Sequence, residues 1–193
     1  MAIKTFTTGE VLTAADTNTY LANAGLDYIT QTAFSAVTQV IIDNCFTATY
    51  ANYRLVLDLS AMSANDVILY QWRTGGSSGS TYGSANYDNQ IVYSEGGLVG
   101  SLAQMGQVFG RIGYCYATPG FGAYPMEIIN PYAALRTQVL ANTNTVNGTT
   151  NVTWEANNSV MRVTDSFTGI RIGNLNGTRT MTGRLRVYGY RNA

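Results

Sequence analysis

The stretch Gly183-Arg184-Leu185-Arg186-Val187-Tyr188-Gly189-Tyr190 decides the fold class of this chain. Its apolar and polar side chains alternate, and a two-residue period is typical of a strand with one buried and one exposed face. Similar short stretches occur at residues 152–155 and 168–172, and Gly and Asn separate them. The chain is therefore predicted to close with antiparallel strands. A sheet so poor in reactive side chains favours a binding or structural role.

The region that begins at Phe34 continues the same pattern, with eight or nine predicted strands and no helical stretch between them. Strands are predicted at residues 53–60 and 66–73, and the connection between them is predicted to be a hairpin. Residues 75–80 are interpreted as a flexible loop that opens a long segment reaching about residue 100. The pattern predicts a mainly β fold, an antiparallel β-sandwich of the jelly-roll kind.

A short arm and a helix are predicted to precede the sandwich. Thr13 and Asp16 fit a capping box, and Gly25 is placed to end the helix. A helix of about ten residues is marginal by itself, so it must dock on a partner or on its own domain. The predicted organisation is an anchoring arm and helix at residues 1–30 and a knob domain at residues 31–193. The predicted anchoring residues are Phe6, Val11, Leu12, Ala14, Asn18 and Leu21.

The surface is predicted to carry few charges. Only 11% of the 193 residues are charged and the formal net charge is zero, whereas soluble domains usually have about 25% charged residues. A net charge of zero promotes association, so contacts with copies of the chain or with neighbouring proteins are expected. The absence of a basic surplus argues against nucleic acid as a partner. No stretch approaches the ~20 apolar residues of a membrane span, so membrane insertion is not expected.

The composition argues against most catalytic chemistry. The sequence has no His, which removes the commonest general base and zinc ligand. The eleven acidic residues are scattered; Glu127 and Glu155 lie in apolar strands, where facing solvent or pairing with an Arg is expected more than facing a pocket. Cys45 and Cys115 have no metal or redox spacing. Cys115 is interpreted as a buried thiol, and a disulfide between the two stays open. No catalytic residue, metal site or cofactor is predicted.

Tyrosine is the residue type that most favours binding. The chain has 14 tyrosines, and several lie among Ser, Gly and Asn, a mixture that provides rigid aromatic contact area beside adaptable hydrogen bonds. The candidate ligand-binding residues are Trp72, Tyr82, Asn86, Tyr87 and Tyr93. The alternative is that these aromatic side chains fill the sandwich core or a subunit interface.

The N-terminal sequence resembles a known family. Residues 6–18, Phe-Thr-Thr-Gly-Glu-Val-Leu-Thr-Ala-Ala-Asp-Thr-Asn, are similar to the start of many tail and fibre proteins of tailed bacteriophages. Shorter segments at residues 45–56, 128–131, 168–172 and 185–189 resemble β-rich modules of phage virion proteins. The resemblance implies a trimeric structural or adhesion protein without cofactors. The chain has no shaft between helix and sandwich, so a compact knob is expected rather than an extended fibre.

The leading hypothesis is a non-enzymatic virion protein, assembled in the host cytoplasm and located on the tail or capsid surface. Its N-terminal part would attach to a tail or baseplate protein, and its knob, a homotrimer, would contact the host surface, plausibly a glycan. One alternative is a capsid decoration or head-fibre protein. Another is a small polysaccharide depolymerase that uses carboxylates.

Overall fold

The protein folds into two antiparallel β-sheets. The computed structural model describes residues 7–11, 13, 25–117, 122–147 and 151–191. Within these residues the strands are β1 (Leu26–Val37), β2 (Gln39–Ile42), β3 (Asn52–Met62), β4 (Asp66–Thr74), β5 (Ser80–Thr81), β6 (Tyr87–Glu95), β7 (Leu98–Gln107), β8 (Gly110–Cys115), β9 (Gly122–Ile129), β10 (Gln138–Asn147), β11 (Asn151–Met161), β12 (Gly169–Asn174) and β13 (Met181–Tyr190). A short 3-10 turn at Gly76–Ser78 precedes β5. The predicted mainly β, antiparallel class is confirmed, and the arrangement fits a sandwich.

Eight strands form the larger sheet, in the order β1-β13-β3-β9-β10-β11-β6-β7. The smaller sheet has the order β2-β12-β4-β5, and β8 also pairs with β4. Strand β12 pairs along one edge of β4. The other edge of β4 is shared: β5 pairs with residues 73–74 and β8 with residues 66–70. We call β1, β13, β3 and β9 the core half of the larger sheet, and β10, β11, β6 and β7 its extension half.

Most of the hydrophobic core lies between the core half and the smaller sheet, and Tyr87, Val139, Ala141 and Met161 of the extension half complete it. Alternate residues of β3 are buried, which is the two-residue period expected for a strand with one buried face. The same holds along β9 and β13. Among the largest fully buried side chains are Tyr53, Leu55, Leu57, Ile68, Tyr70, Trp72 and Tyr124. The apolar interior thus follows the alternation visible in the sequence.

The extension half is held against β8 by side chains rather than by a strand ladder. The Nδ2 group of Asn89 donates to the carbonyl of Phe109 at 3.2 Å, and its Oδ1 accepts from the amide of Arg111 at 3.0 Å. Asn157 donates to the carbonyl of Ile112 at 2.9 Å. Unpaired backbone groups at a sheet edge must be satisfied or covered. These two asparagines therefore close the edge of β8 and fix the extension half above it.

One predicted connection is wrong. Residues 61–65 are not a hairpin, because β3 pairs with β13 and β9 while β4 pairs with β12, β5 and β8. The connection crosses from one sheet to the other, which strand alternation alone does not specify.

The segment of residues 75–100 contains β5, β6 and the start of β7. Gly96 and Gly97 form the two-residue turn between β6 and β7 with φ of 56° and 85°, as a type I′ hairpin requires.

The N-terminal predictions fall mainly on residues outside those described. The predicted helix lies there, apart from Thr13. Strand β1 begins at Leu26, and its first residues pair with β13, the last strand in the sequence. The predicted boundary between residues 30 and 31 therefore falls inside β1. Of the predicted anchoring residues, Val11 is described and its side chain is exposed. Phe6, Leu12, Ala14, Asn18 and Leu21 lie outside the described residues.

Candidate functional site

Two of the predicted ligand-binding residues are core residues. Trp72 and Tyr87 are each 0% exposed. The Trp72 ring stacks on Phe167 with centroids 5.4 Å apart. The Tyr87 hydroxyl donates to the carbonyl of Tyr82 at 3.0 Å and accepts from the amide of Trp72 at 2.9 Å. Buried side chains cannot contact a ligand at the surface, so this prediction is corrected: alternation along β4 and β6 points both rings inward.

The other three predicted residues are not brought together. The Nδ2 group of Asn86 donates to the hydroxyl of Tyr82 at 3.4 Å, so these two are neighbours before β6. The Tyr82 ring packs edge-on against Phe167 at the rim of the core. Tyr93 lies six residues further along β6 than Tyr87, which is about 20 Å along a strand. Of the five, Tyr93 alone lines the cleft described next.

A cleft with a volume of about 400 Å³ opens between β8 and the extension half. We call it the tyrosine cleft, since Tyr93, Tyr114 and Tyr116 line it. Tyr114 and Tyr116 come from β8 and the residue that follows it, and their rings meet edge to face with centroids 4.9 Å apart. Aromatic walls with a few polar groups are typical of small-molecule sites.

A buried ion pair forms one wall of the tyrosine cleft. Nη2 of Arg111 lies 2.8 Å from Oε1 and 3.0 Å from Oε2 of Glu155, and Nε of Arg111 lies 3.3 Å from Oε2. The side chains are 15% and 6% exposed. The two-point contact with a guanidinium is strong and directional. It confirms the prediction that Glu155 pairs with an Arg, while also placing Glu155 in a pocket.

A second polar group of the cleft is built around Tyr116. Its hydroxyl donates to Oε1 of Glu95 at 2.6 Å and lies 3.1 Å from Oγ1 of Thr153. Burial raises the pKa of the Tyr116 phenol, and the hydrogen bond to the Glu95 carboxylate raises it further. Tyr116 is therefore held neutral with its proton directed at Glu95.

Several polar atoms of the cleft remain available to a ligand. Among the described residues, the hydroxyls of Tyr93 and Tyr114, Nη1 of Arg111 and Oε2 of Glu95 make no hydrogen bond. They offer both donors and acceptors beside aromatic faces. Arg111 is offset by Glu155, so the formal charge that remains in the cleft is the negative charge of Glu95.

The Tyr93 ring is positioned by a glycine. Gly100 pairs with Tyr93 across the β6–β7 ladder. A Cβ atom at Gly100 would lie 2.5 Å from Cζ of that ring, closer than two carbon atoms can approach. The ring therefore lies across the backbone of β7 and faces the cleft because residue 100 has no side chain.

The described residues carry no grouping of three His, Cys, Asp or Glu side chains that could hold a metal ion. Both cysteines are free and buried, which answers the open question of a disulfide and confirms the interpretation of Cys115 as a buried thiol. Within the same part of the chain, none of the helices is long and apolar enough to span a membrane.

Sequence reasoning missed most of the cleft. Arg111 and Tyr114 lie three residues apart in β8, across the register shift in its ladder with β4, and Tyr116 follows β8. Simple strand alternation therefore does not place them in one cleft. Tyr93 was found because it lies among polar loop-forming residues. The remaining contacts join β6, β8 and β11, which are at least 15 residues apart in sequence.

The fold and site together define a two-sheet β protein with an aromatic, weakly charged cleft. Comparisons with models of protein families, with curated proteins and with solved structures found no match to this chain.

Proposed function

We propose that this chain is a non-enzymatic virion protein of a tailed bacteriophage, whose knob contacts the host surface through the tyrosine cleft. The observation that carries the proposal is the cleft itself: three tyrosines and unused hydrogen-bonding atoms in a volume of about 400 Å³. The likeness of residues 6–18 to the start of phage tail and fibre proteins supports the virion assignment.

The order of the strands supports a jelly-roll path. The strands β1, β2, β3, β4, β8, β9, β12 and β13 would form two four-stranded sheets, β1-β13-β3-β9 and β2-β12-β4-β8. This interleaved order is the one that a jelly roll of eight strands produces, and β5–β7 and β10–β11 would be insertions into it. Jelly rolls occur in viral proteins and lectins. The similarity to jelly rolls concerns the fold alone. It favours a viral or sugar-binding role but does not specify a ligand.

The ligand that best fits the cleft is a neutral glycan. The tyrosine rings offer apolar faces to a sugar ring, and the free hydroxyl, guanidinium and carboxylate groups match sugar hydroxyls. An acidic sugar is disfavoured because Arg111 is already paired with Glu155 and Glu95 adds a negative charge nearby. Like charges in a partly buried site repel strongly.

The same carboxylates argue for binding rather than hydrolysis. Glycoside hydrolysis uses a pair of carboxyl groups on either side of the scissile bond. Both carboxylate oxygens of Glu155 accept hydrogen bonds from Arg111. Of the two carboxylates in the cleft, only that of Glu95 keeps an oxygen without a hydrogen bond, since its other oxygen accepts from Tyr116. We therefore propose contact without turnover, and we expect no new reducing ends when the protein is incubated with host polysaccharide.

A glycan array probed with the purified chain tests the ligand. We expect binding to neutral oligosaccharides, and Tyr114→Ala should lower the affinity at least about tenfold, as loss of a central aromatic contact does. Tyr132→Ala is the matched control, since Tyr132 is an exposed tyrosine outside the cleft. Equal binding by both variants would contradict the role of the cleft, and binding to acidic glycans alone would contradict its specificity.

The proposed partners are two further copies of this chain, forming a homotrimer, and another virion protein that holds residues 1–24. Deletion of residues 2–24 leaves every described strand intact, since β1 begins at Leu26. We expect the shortened protein to fold and to be missing from purified particles. Its incorporation at the normal copy number would refute the anchoring role.

Copy number per particle separates a tail location from the capsid alternative. A tail part is expected in threes, sixes or twelves, whereas tens to hundreds of copies would indicate a capsid decoration or head-fibre protein. Quantitative mass spectrometry of purified particles provides this count.

A further inference from the structure

The outer face of the extension half and its β7 edge together carry an unusual concentration of exposed apolar side chains. Leu98 and Val99 are 77% and 78% exposed. We call the group the apolar patch; its members are Val92, Leu98, Val99, Leu102, Met105, Leu140, Val152 and Trp154. All eight belong to β6, β7, β10 or β11. Monomeric proteins rarely expose continuous apolar surfaces of this kind, which mark interaction sites.

Strand β7 has the composition of an interior strand but lies at an edge. Leu98 and Leu102 pair with Glu95 and Ile91, and thus share the inner side of the sheet, while Val99 pairs with Ser94 on the outer side. Apolar residues on both faces are typical of strands that are covered on both faces. The free side of β7 is nonetheless the end of the eight-stranded sheet.

This edge lacks the usual protection. Natural edge strands are guarded by charged residues, prolines or bulges that prevent pairing with other chains. Residues 96–110 contain no charged residue and no proline. The register shift in the β6–β7 ladder lies at its far end, between Tyr87 and Asn89. Most of β7 is therefore a flat, uncharged edge that another chain can cover.

The outer face of the extension half is apolar and largely uncharged across all four of its strands. Trp154 pairs with Ser94, Val92 with Ala156, and Val152 with Val146. The residues between them are mainly amides and hydroxyls, and Asp88, near one end, is paired with Arg162. The face is thus apolar with neutral hydrogen-bonding groups, a mixture suited to an interface core.

We propose that the apolar patch is the surface through which copies of this chain contact one another, which rests on the self-association proposed above. Its area is adequate: four strands about 4.8 Å apart and about 30 Å long present roughly 600 Å² of face, and the edge adds to it. A standard interface buries about 800 Å² on each partner.

The occupant is a second copy because of charge. A partner with a charged surface would have to remove its charges from water against a face that offers no opposite charge, at a large cost. A copy of this chain brings a surface that is itself uncharged, from a molecule with zero formal net charge. Contacts between copies also place the unprotected β7 edge of each chain out of reach of other proteins.

Light scattering coupled to size-exclusion chromatography tests the proposal on the full chain over a range of concentrations. The wild type should have a multiple of the 20.8 kDa chain mass. The double variant Val99→Glu/Met105→Glu should elute as a single chain, since both side chains would bring charge into the contact. Leu135→Glu/Leu175→Glu is the matched control, because these leucines are exposed outside the patch. It should keep the wild-type mass.

The outcomes separate the two proposals. Assembly of the Val99→Glu/Met105→Glu variant at the wild-type mass overturns the patch as the contact while leaving self-association in place. A wild type that stays a single chain at every concentration overturns both. Near-ultraviolet circular dichroism verifies that the variants are folded; since both substituted side chains are exposed in the single chain, a native spectrum is expected. If the Val99→Glu/Met105→Glu variant is unfolded, the single variant Val152→Glu replaces it in the experiment. Its mass in solution is then interpreted in the same way.

Discussion

The core half and the extension half of the eight-stranded sheet distribute polarity in opposite ways. The inner face of the core half is apolar, and its outer face carries ion pairs such as Arg186 with Asp58. The extension half also buries apolar residues such as Tyr87 and Met161, but its inner face adds the buried polar residues Asn89, Glu155 and Asn157, and it exposes the apolar patch on its outer face and β7 edge. Burial of apolar area stabilises a chain, whereas buried polar groups cost free energy unless they are paired. The core half therefore supplies most of the apolar burial, whereas the exposed face and edge of the extension half are the surfaces that we propose for contact.

The two edges of the sheet differ in the same sense. Strand β1 has two register shifts in its ladder with β13, and its Asp27 is paired with Arg191. Bulges and charges of this kind prevent an edge from pairing with other chains. Strand β7 has one register shift, at its far end, and no charge. One edge is protected and the other is available.

The largest expected effect comes from the ion pair that joins Arg111 of β8 to Glu155 of the extension half. Glu155→Gln leaves the Arg111 charge buried without its partner and should lower the free energy of unfolding by about 3–5 kcal/mol. Asp58→Asn, in an ion pair whose side chains are 31% and 38% exposed, should cost at most about 1 kcal/mol. Urea unfolding measures both. Equal effects would contradict the contrast between the halves.

A pair of leucine truncations tests the apolar faces. Leu57 is fully buried in the core half, so Leu57→Ala should lower the free energy of unfolding by about 2–5 kcal/mol through lost burial and a cavity. Leu140 lies on the outer face of the extension half. Leu140→Ala should change the free energy of unfolding of the dissociated chain by less than about 1 kcal/mol. A large loss at Leu140 in the single chain would mean that its face is already covered within the molecule.

Alkaline pH should weaken the core through Cys45. Burial raises the pKa of this thiol from 9.0 to about 12. Its contribution is complete below pH 9 and is lost as the pH rises towards 12, because the unfolded thiol ionises first. The loss should be on the order of 1 kcal/mol at pH 10. Urea unfolding at pH 7, 9 and 10 measures it, and Cys45→Ala should reduce the decline below pH 10 without abolishing it, because burial also raises the pKa of the Cys115 thiol.

Above pH 10 the tyrosines add to this loss, since burial also raises the pKa values of Tyr70, Tyr87 and Tyr124. A free energy of unfolding that is constant from pH 7 to pH 10 in the wild type would contradict the burial of Cys45.

The smallest expected effect is at Gly100. Gly100→Ala places a Cβ against the Tyr93 ring, and the ring, half-buried at the cleft, must turn away. Stability should change by about 1 kcal/mol or less, while glycan affinity should fall a few-fold. Gly83→Ala is the matched control, since its Cβ would lie 3.8 Å from a Gln71 side-chain atom. Unchanged binding in Gly100→Ala, measured by calorimetry, would remove Tyr93 from the ligand contacts.

Strand alternation was sufficient to predict the β class and most core strands, because the two-residue period is written locally in segments such as Gly183–Tyr190. It did not predict which sheet a strand joins: β3 and β4 are consecutive and belong to different sheets. The β6–β7 hairpin does have a local signal in Gly96-Gly97, because a type I′ turn favours glycine at both central positions.

The candidate site was less accessible to prediction. Tyr93 and Tyr87 lie in the same strand, an even number of residues apart and therefore on the same side of it, yet one lines the cleft and the other is buried in the core. The difference arises from where the smaller sheet ends beneath β6, a long-range feature. The partnership of Arg111 with Glu155 likewise joins residues 44 apart in sequence, and alternation carries no information about such pairs.

Hydrogen exchange along the two edges tests the central claim, that the extension half makes contacts between copies. At concentrations where the protein is assembled, the amides of Leu98–Gln107 should exchange at least about tenfold more slowly than in dilute solution, because the free edge of β7 is covered. The amides of Leu26–Val37 should show no such dependence. Exchange of β7 at one fast rate at every concentration would contradict the account.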